Sequence, residues 1–303
     1  VEATLTERKL NLREVFKAYR ELMKIPIVAL LVFTTITAMF VASNGVPDLN
    51  LLLPTVFGGV LAAGGASALN QYIDRDMDGK MARTARRPIP SGRLAPINVL
   101  VFGFALVAWA VLILGVFVNW LAAFLALLGA VYYVVLYTMI LKRNTVINIV
   151  IGGGAGAIPV LVGWAAVTGS LSVEPFILFA IVFYWTPPHS WALAILVSKD
   201  YEAANVPMMP VARGEEMTRW QIFLYSVQLV LITLIPSLGL LINQEPMLGW
   251  FYGLVALGLG LGMIYLSIRL IRVADKAMAR VLYKYSSMYL AFLFMAMIID
   301  RLL

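Results

Sequence analysis

No cysteine occurs anywhere in the 303-residue chain, which excludes disulfides, thiolate metal ligands and a thiol nucleophile. A single histidine, His189, excludes the clustered-histidine sites that hold zinc. Charge is scarce as well: 13% of residues are Asp, Glu, Lys or Arg, against about 25% in a soluble domain. Apolar residues, 62% of the total, take their place, in repeated runs of roughly twenty, the length that crosses a bilayer. The expected class is an all-α polytopic membrane protein in contact with lipid. A net charge of +7 invites a nucleic-acid partner, but the distribution of the charges speaks against one.

Nine transmembrane helices are expected, near 26–42, 51–69, 98–116, 120–140, 145–167, 175–197, 220–242, 248–268 and 285–303. They form a single bundle and one domain over 1–303, with no linker or low-complexity tract. With nine segments, 22 of the 23 Lys and Arg residues fall on one side, leaving only Arg301 on the other. The positive-inside rule then puts the N-terminus and the long loops in the cytoplasm and the C-terminus outside. The N-terminal arm carries Glu2, Glu7, Glu14 and Glu21 among its bases, so it is not an acid-poor transit peptide. The loops on the other side are short. Those after segments two and six, roughly 70–97 and 198–219, are long, charged and proline-bearing, and function should sit there as loop caps over the bundle. Runs of small residues (Gly58-Gly59, Gly64-Gly65, Gly152 to Gly154 and Gly156) read as close helix packing in lipid.

The stretch Asn70 to Gly92, NQYIDRDMDGKMARTARRPIPSG, carries the chemistry. Asn70, Asp74 and Asp78 are spaced i, i+4, i+8, so each lies about 40° from the last and all three share one helix face. Carboxylates gathered there repel one another unless a cation or neighbouring arginines balance them, and hard oxygen ligands beside a phosphate suit Mg²⁺. The bland alternative is an interfacial charge run balanced by Arg83, Arg86 and Arg87. A calcium loop starting at Asp74 fails because its twelfth position is Ala85. A CDP-alcohol phosphotransferase signature around Asp78-Gly79 fails because Arg75, Pro96 and Leu100 stand where further aspartates are required.

N-x-x-x-D-x-x-x-D followed by R-x-x-R-P-x-x-x-G resembles the first aspartate motif of the UbiA superfamily of intramembrane prenyltransferases. Downstream, Tyr184-Trp185-Thr186-Pro187-Pro188-His189-Ser190-Trp191, Lys199-Asp200-Tyr201 and Val206-Pro207-Met208-Met209-Pro210 are similar to the protoheme IX farnesyltransferases within it. So is Lys142-Arg143-x-Thr145-x-x-Asn148 with Gly152, Gly156 and Pro159. Ser190, Asn205 and Met209 depart from that pattern, which touches substrate preference more than reaction type. The resemblance implies a UbiA-like fold and transfer of a farnesyl group from farnesyl diphosphate to a vinyl group of heme b, making heme O. It implies Mg²⁺ held by Asp74, Asp78, Asn70 and Asp200, and catalytic roles for Asp74, Asp78, Asp200 and Tyr201. Asn70, Arg83, Arg87, Lys142, Asn148, His189 and Lys199 would bind the substrates. Heme b is then substrate rather than cofactor, heme A synthase or oxidase assembly proteins are the implied protein partners, and a bacterial inner membrane is the implied location.

Three readings stay open on the residues alone. Asp200 stands with Glu202 where the wider superfamily has a second aspartate pair, so it either holds metal or makes an interfacial salt bridge. His189 either faces the tetrapyrrole, as iron ligand or proton acceptor, or is a plain hydrogen-bonded side chain. Tyr184, Trp185 and Trp191 fit a flat aromatic pocket or an interfacial belt equally. A quinone-precursor ring or chlorophyllide is the alternative acceptor. A transporter or non-catalytic heme-binding protein is the rival of another class, and the near absence of charge within the segments counts against an ion-coupled carrier.

Overall fold

The nine apolar runs become nine helices long and apolar enough to cross a membrane among the described residues. The computed structural model describes residues 11–239 and 246–303. Glu2, Glu7, Arg8, Lys9 and positions 240–245, including the end of the seventh expected segment, lie outside the described residues.

In chain order the helices are α1 (Leu12–Met23), α2 (Ile25–Ala42), α3 (Leu49–Ile73), the single turn α4 (Arg75–Asp78), α5 (Pro96–Phe117) and α6 (Trp120–Val131). A π-helix, Tyr132–Leu141, and the short α7 (Lys142–Asn144) continue α6 into one span. Then come α8 (Asn148–Thr168), α9 (Glu174–Leu196), the short α10 (Ser198–Ala203) and α11 (Met209–Ala212), α12 (Gly214–Leu238), α13 (Trp250–Val273) and α14 (Lys276–Leu302). The last helix begins nine residues before the expected segment, because Lys276, Arg280 and Lys284 are exposed and helical rather than part of a loop.

Each span packs on the next, and α14 closes the ring against α2. Two cross-contacts, α2 on α8 and α9 on α14, tie the ring across its middle. Close approach depends on glycine at several of these crossings. A Cβ on Gly163 would lie 2.2 Å from the Thr35 carbonyl oxygen, and one on Gly65 would lie 2.8 Å from the Gly103 carbonyl oxygen. Helix association in lipid relies on such small residues because the lipid is as apolar as the side chains. The packing reading therefore holds for Gly58, Gly64, Gly65 and Gly152 to Gly154. It does not hold for Gly156, whose Cβ would meet nothing within 4 Å, or for Gly59, which meets only Val32 at 3.8 Å. Both line a cavity instead.

One structure at the basic end was not expected. The N-terminal arm enters α1 through a capping box, in which Asn11 and Glu14 satisfy each other's backbone N–H groups. The helix buries Ala18 and Leu22 against α3 while Leu12 and Phe16 stay exposed, the pattern of a helix lying in an interface. It ends at Lys24 in the left-handed conformation (φ 52°), and Pro26 in the first turn of α2 starts the next direction. At the opposite end Asp300 caps α13 by accepting from the Gly249 and Tyr252 N–H groups at 2.6 and 3.1 Å. Its neighbour Arg301, the one base at that end, donates to Asn44 Oδ1 and to the Met247 carbonyl.

Candidate active site

The last turn of α3 and α4 form a nearly continuous stack. The Asp74 N–H donates to the Asn70 carbonyl at 2.9 Å and the Asp78 N–H donates to the Asp74 carbonyl at 2.7 Å. Helical hydrogen bonding thus persists through the junction at Asp74, and the three side chains share one face. That face turns inward: Asp74 is 0% and Asp78 2% exposed, and Asn70 is buried with them. Asp76, one residue off the face, is 61% exposed at its side chain.

Two buried carboxylates need compensation, since an unpaired buried charge is among the costliest features a fold can carry. Asp74 Oδ2 accepts from Lys142 Nζ at 2.5 Å and from Asn70 Nδ2 at 2.7 Å. Asp78 accepts from Arg87 Nη1 with both oxygens, at 2.7 and 2.8 Å. Arg143 pairs with Asp76 at 2.9 Å and sits 3.5 Å from Asp74 Oδ1. Its hydrogen bond holds the Asp76 carboxyl below the usual carboxylate range. One oxygen is left over: Asp74 Oδ1 is buried with no hydrogen-bond partner.

The π-helix brings Lys142 to this site. Thr138 Oγ1 donates to the carbonyl of Tyr133, five residues back, and accepts from Asn70 Nδ2 at 3.1 Å. An i to i+5 turn is wider than an α turn and shifts the register of the residues beyond it, and such segments are frequent at functional sites. Apolar periodicity in 120–140 carries no sign of it.

Lys24 is a site residue for which the sequence offers no sign. Its Nζ donates to Asn70 Oδ1 at 3.0 Å, so the amide oxygen expected to face a metal faces an ammonium instead. Burial, and then the like charges of Arg87 and Lys142, push the Lys24 ammonium down to about 7. A lysine just before the first apolar run reads as an ordinary interfacial anchor, and no local signal distinguishes it.

Below Lys24 a cavity opens between α2, α3, α6 and α8, with ≈ 840 Å³ of empty space counting its open mouth. Lys24, Ser67 and Tyr133 stand at its polar end, and Thr35, Ala62 and Gly156 are among its walls. Its lining is otherwise almost wholly apolar. The charged cluster and the cavity meet at the Lys24–Asn70 pair.

The second loop contributes less than expected to the carboxylate cluster. Among the described residues no three of His, Cys, Asp and Glu come together as a metal site, so Asp200 does not join Asp74 and Asp78. It lies half-buried on α10 with no ion-pair partner among the described residues; the salt-bridge alternative is not realised either. Next to it the Tyr201 phenol is pushed up by burial, with Arg83 and Arg87 opposing and Asp200 adding to the rise. The phenol therefore stays protonated near neutrality and faces the arginines of the first loop. Arg83 and Lys199 are exposed and unpaired among the described residues. Asn148 is fully buried at the start of α8; its Nδ2 donates to the Thr145 carbonyl at 2.6 Å while its Oδ1 has no partner.

His189, on α9, meets α14. Its ring stacks on Trp185 (4.3 Å between centroids, 21°) and leans on Tyr283 (4.7 Å, 31°). The aromatic pocket is thus not the one expected. Tyr184 and Trp191 turn to Tyr225 of α12, at 6.0 and 5.4 Å, so only Trp185 of the three flanks the histidine. Trp185 and Trp191 are buried, which excludes the interfacial belt for both.

The chain is matched over residues 31–296 by the model of the UbiA prenyltransferase family. The chain belongs to that family. Among its relatives, the protoheme IX farnesyltransferase of Gloeothece citriformis is 46% identical over 303 residues, 100% of this chain and 92% of that protein. The protein of the same name from Roseiflexus castenholzii is 49% identical over 300 residues, 99% of this chain but 54% of its own length. For that relative and the one from Chloroflexus aurantiacus, of which 49% is covered, the chain spans about half the length. The UbiA-type fold is equally plain in solved structures. Digeranylgeranylglyceryl phosphate synthase superposes with a TM-score of 0.76 at 19% identity, covering 94% of this chain and 98% of that one. A UbiA homolog from Archaeoglobus fulgidus bound to GPP and Mg²⁺ superposes with a TM-score of 0.60 at 14% identity, covering 92% and 99%. The protein is an integral membrane protein of this family.

Proposed function

We propose that this chain transfers the farnesyl group of farnesyl diphosphate to a vinyl group of heme b, making heme O. It would do so in a bacterial cytoplasmic membrane, with the basic end of the bundle facing the cytoplasm. One observation carries the reading: a buried carboxylate and base cluster sits at the head of an apolar cavity. The named relatives, with 46% and 49% identity, favour heme b over a quinone-precursor ring or chlorophyllide as acceptor.

The charged cluster fits a diphosphate bound with magnesium. Asp74 and Asp78 offer hard oxygens, and Asp74 Oδ1, with Arg143 at 3.5 Å as its ion-pair contact, accepts no hydrogen bond in the protein. Two carboxylates completed by substrate phosphate are a usual magnesium arrangement. When bound, the ion supplies Lewis-acid stabilisation of the departing diphosphate. Lys142, Arg87 and Lys24 would turn from the aspartates and Asn70 toward phosphate oxygens, with exposed Arg83 closing over them. Their charge accumulates where the leaving group develops it, so they favour ionisation of the allylic C–O bond. The protonated Tyr201 phenol adds a neutral donor on the side of the second loop, and exposed Lys199 draws the polyanion in.

The apolar cavity would hold the farnesyl chain and keep water from the allylic cation. The vinyl carbon of heme b attacks that cation, a carbon–carbon bond forms, and positive charge moves to the carbon next to the ring. Water adds there and loses a proton, so heme b, farnesyl diphosphate and water give heme O and diphosphate. Asp200, half-buried and unpaired, is the base we assign to that proton, with Asn148 Oδ1 and His189 as contacts to substrate. Heme A synthase or an oxidase assembly protein would take the product onward.

The test is turnover of purified protein supplied with heme b, an aromatic acid and farnesyl diphosphate, with and without Mg²⁺, read by mass spectrometry. Farnesylated, hydrated heme only in the presence of Mg²⁺ is expected. A prenylated aromatic acid with unmodified heme would overturn the acceptor.

A further inference from the structure

His189 lies on α9 and Ser286 on α14, 97 positions apart, and their side chains meet at 2.8 Å through Nδ1 and Oγ. Ser286 is fully buried, and its Oγ also lies 2.8 Å from the Tyr283 carbonyl oxygen. A hydroxyl has one proton to donate and lone pairs to accept with, whereas a carbonyl only accepts. With the Ser286 proton on the Tyr283 carbonyl, which also accepts from Ser287 Oγ at 3.1 Å, Oγ meets the imidazole as an acceptor. That arrangement requires the proton of the neutral imidazole on Nδ1 and leaves the lone pair on Nε2. Nε2 has no hydrogen-bond partner among the described residues. Trp185 secures the same unit twice: its ring stacks on the imidazole, and its Nε1–H donates to the Ser286 carbonyl at 2.7 Å. Tyr283, whose carbonyl ends the relay, also leans on the imidazole ring, at 4.7 Å between centroids.

We infer that Ser286 is a positioning residue, which holds His189 as the Nδ1–H tautomer so that Nε2 presents its lone pair to the iron of the heme substrate. The inference rests on the proposed reading that His189 contacts heme. The partner of a ligating histidine sets both its orientation and its basicity. A carboxylate partner would make the imidazole a stronger donor and the heme slower to leave. A hydroxyl that only accepts leaves an ordinary neutral imidazole, which suits a heme that must depart after each turnover.

Purified full-length protein titrated with heme b, and separately with farnesyl diphosphate, tests this through the visible spectrum and the two affinities. Ser286→Ala should weaken heme binding about tenfold and alter the spectrum of bound heme, as loss of a ligand's partner does elsewhere. Farnesyl diphosphate binding should be unchanged, and Ser286→Thr, which keeps the hydroxyl, should restore the wild-type spectrum. A wild-type spectrum and affinity in Ser286→Ala, while His189→Ala loses both, would overturn the positioning role and leave the heme contact standing. Equal weakening of both ligands, or no rescue by Thr, would mark a packing role and overturn it as well. An unchanged spectrum in His189→Ala would instead sink the heme contact itself.

Discussion

The carboxylate cluster at the junction of α3 and α4 and the histidine site between α9 and α14 solve opposite problems. The first is a network of bases on buried polar groups, Lys142 on Asp74, Arg87 on Asp78 and Lys24 on the neutral Asn70, with the exposed Arg143–Asp76 pair at its edge. Breaking one partner of such a buried pair leaves the other uncompensated, so the network holds together until a ligand offers both a cation and a polyanion. The second is already arranged, with an imidazole in contact with two rings and tied to a serine. On the proposed function, the first region exchanges partners when substrate binds, whereas the second keeps the partners it has.

That contrast can be broken in order of expected effect. Asp74→Asn or Asp78→Asn should lower turnover roughly a thousandfold, the upper range for loss of a group that stabilises developing charge. The spectrum of bound heme should not change, and a spectral change there would join the two regions into one. Lys24→Met should cost less, on the order of 10- to 100-fold in affinity for farnesyl diphosphate, the scale of one charged hydrogen bond. Near-normal affinity in a direct binding measurement would remove Lys24 from the site.

The cavity wall sharpens the comparison further. A side chain at Gly156 points into open space, so Gly156→Leu should fold normally and shorten the space for the prenyl chain. Geranyl diphosphate should then compete with farnesyl diphosphate better than before, as measured by product mass. Unaltered preference would place the chain elsewhere. The smallest effect on chemistry belongs to Gly163→Ala, where a methyl would press on the Thr35 carbonyl. Overpacking of that kind typically costs about 1–3 kcal/mol. A lowered unfolding temperature with turnover per folded molecule intact is expected, and loss of turnover without destabilisation would make the α2–α8 crossing part of the catalytic site.

Much of the carboxylate cluster was legible along the chain because its spacing is local. The i, i+4, i+8 rule needs only that the helix continue past Ile73, and the backbone bonds at Asp74 and Asp78 show that it does. Arg87 lies nine residues from its partner and Lys142 is marked by its motif. The same local reasoning stopped short at Asp200, whose family position suggested a ligand but which forms no three-membered ligand group with Asp74 and Asp78 among the described residues. It failed for Tyr184 and Trp191. Residues adjacent along α9 point to different neighbours, and a helix apolar on all sides gives no hint of which face meets which helix.

The sequence by itself determined the number of spans, the gathering of the bases at one end and the shared face of Asn70, Asp74 and Asp78, all properties of chain-adjacent residues. Tertiary structure alone decided that Lys24 closes on Asn70, that Gly59 and Gly156 line a cavity while Gly163 serves packing, and that His189 finds Ser286. The physical reason is common to all of these. In lipid every face of a helix is equally apolar, so hydropathy gives no direction, and direction is set only where backbones come close and polar atoms find partners.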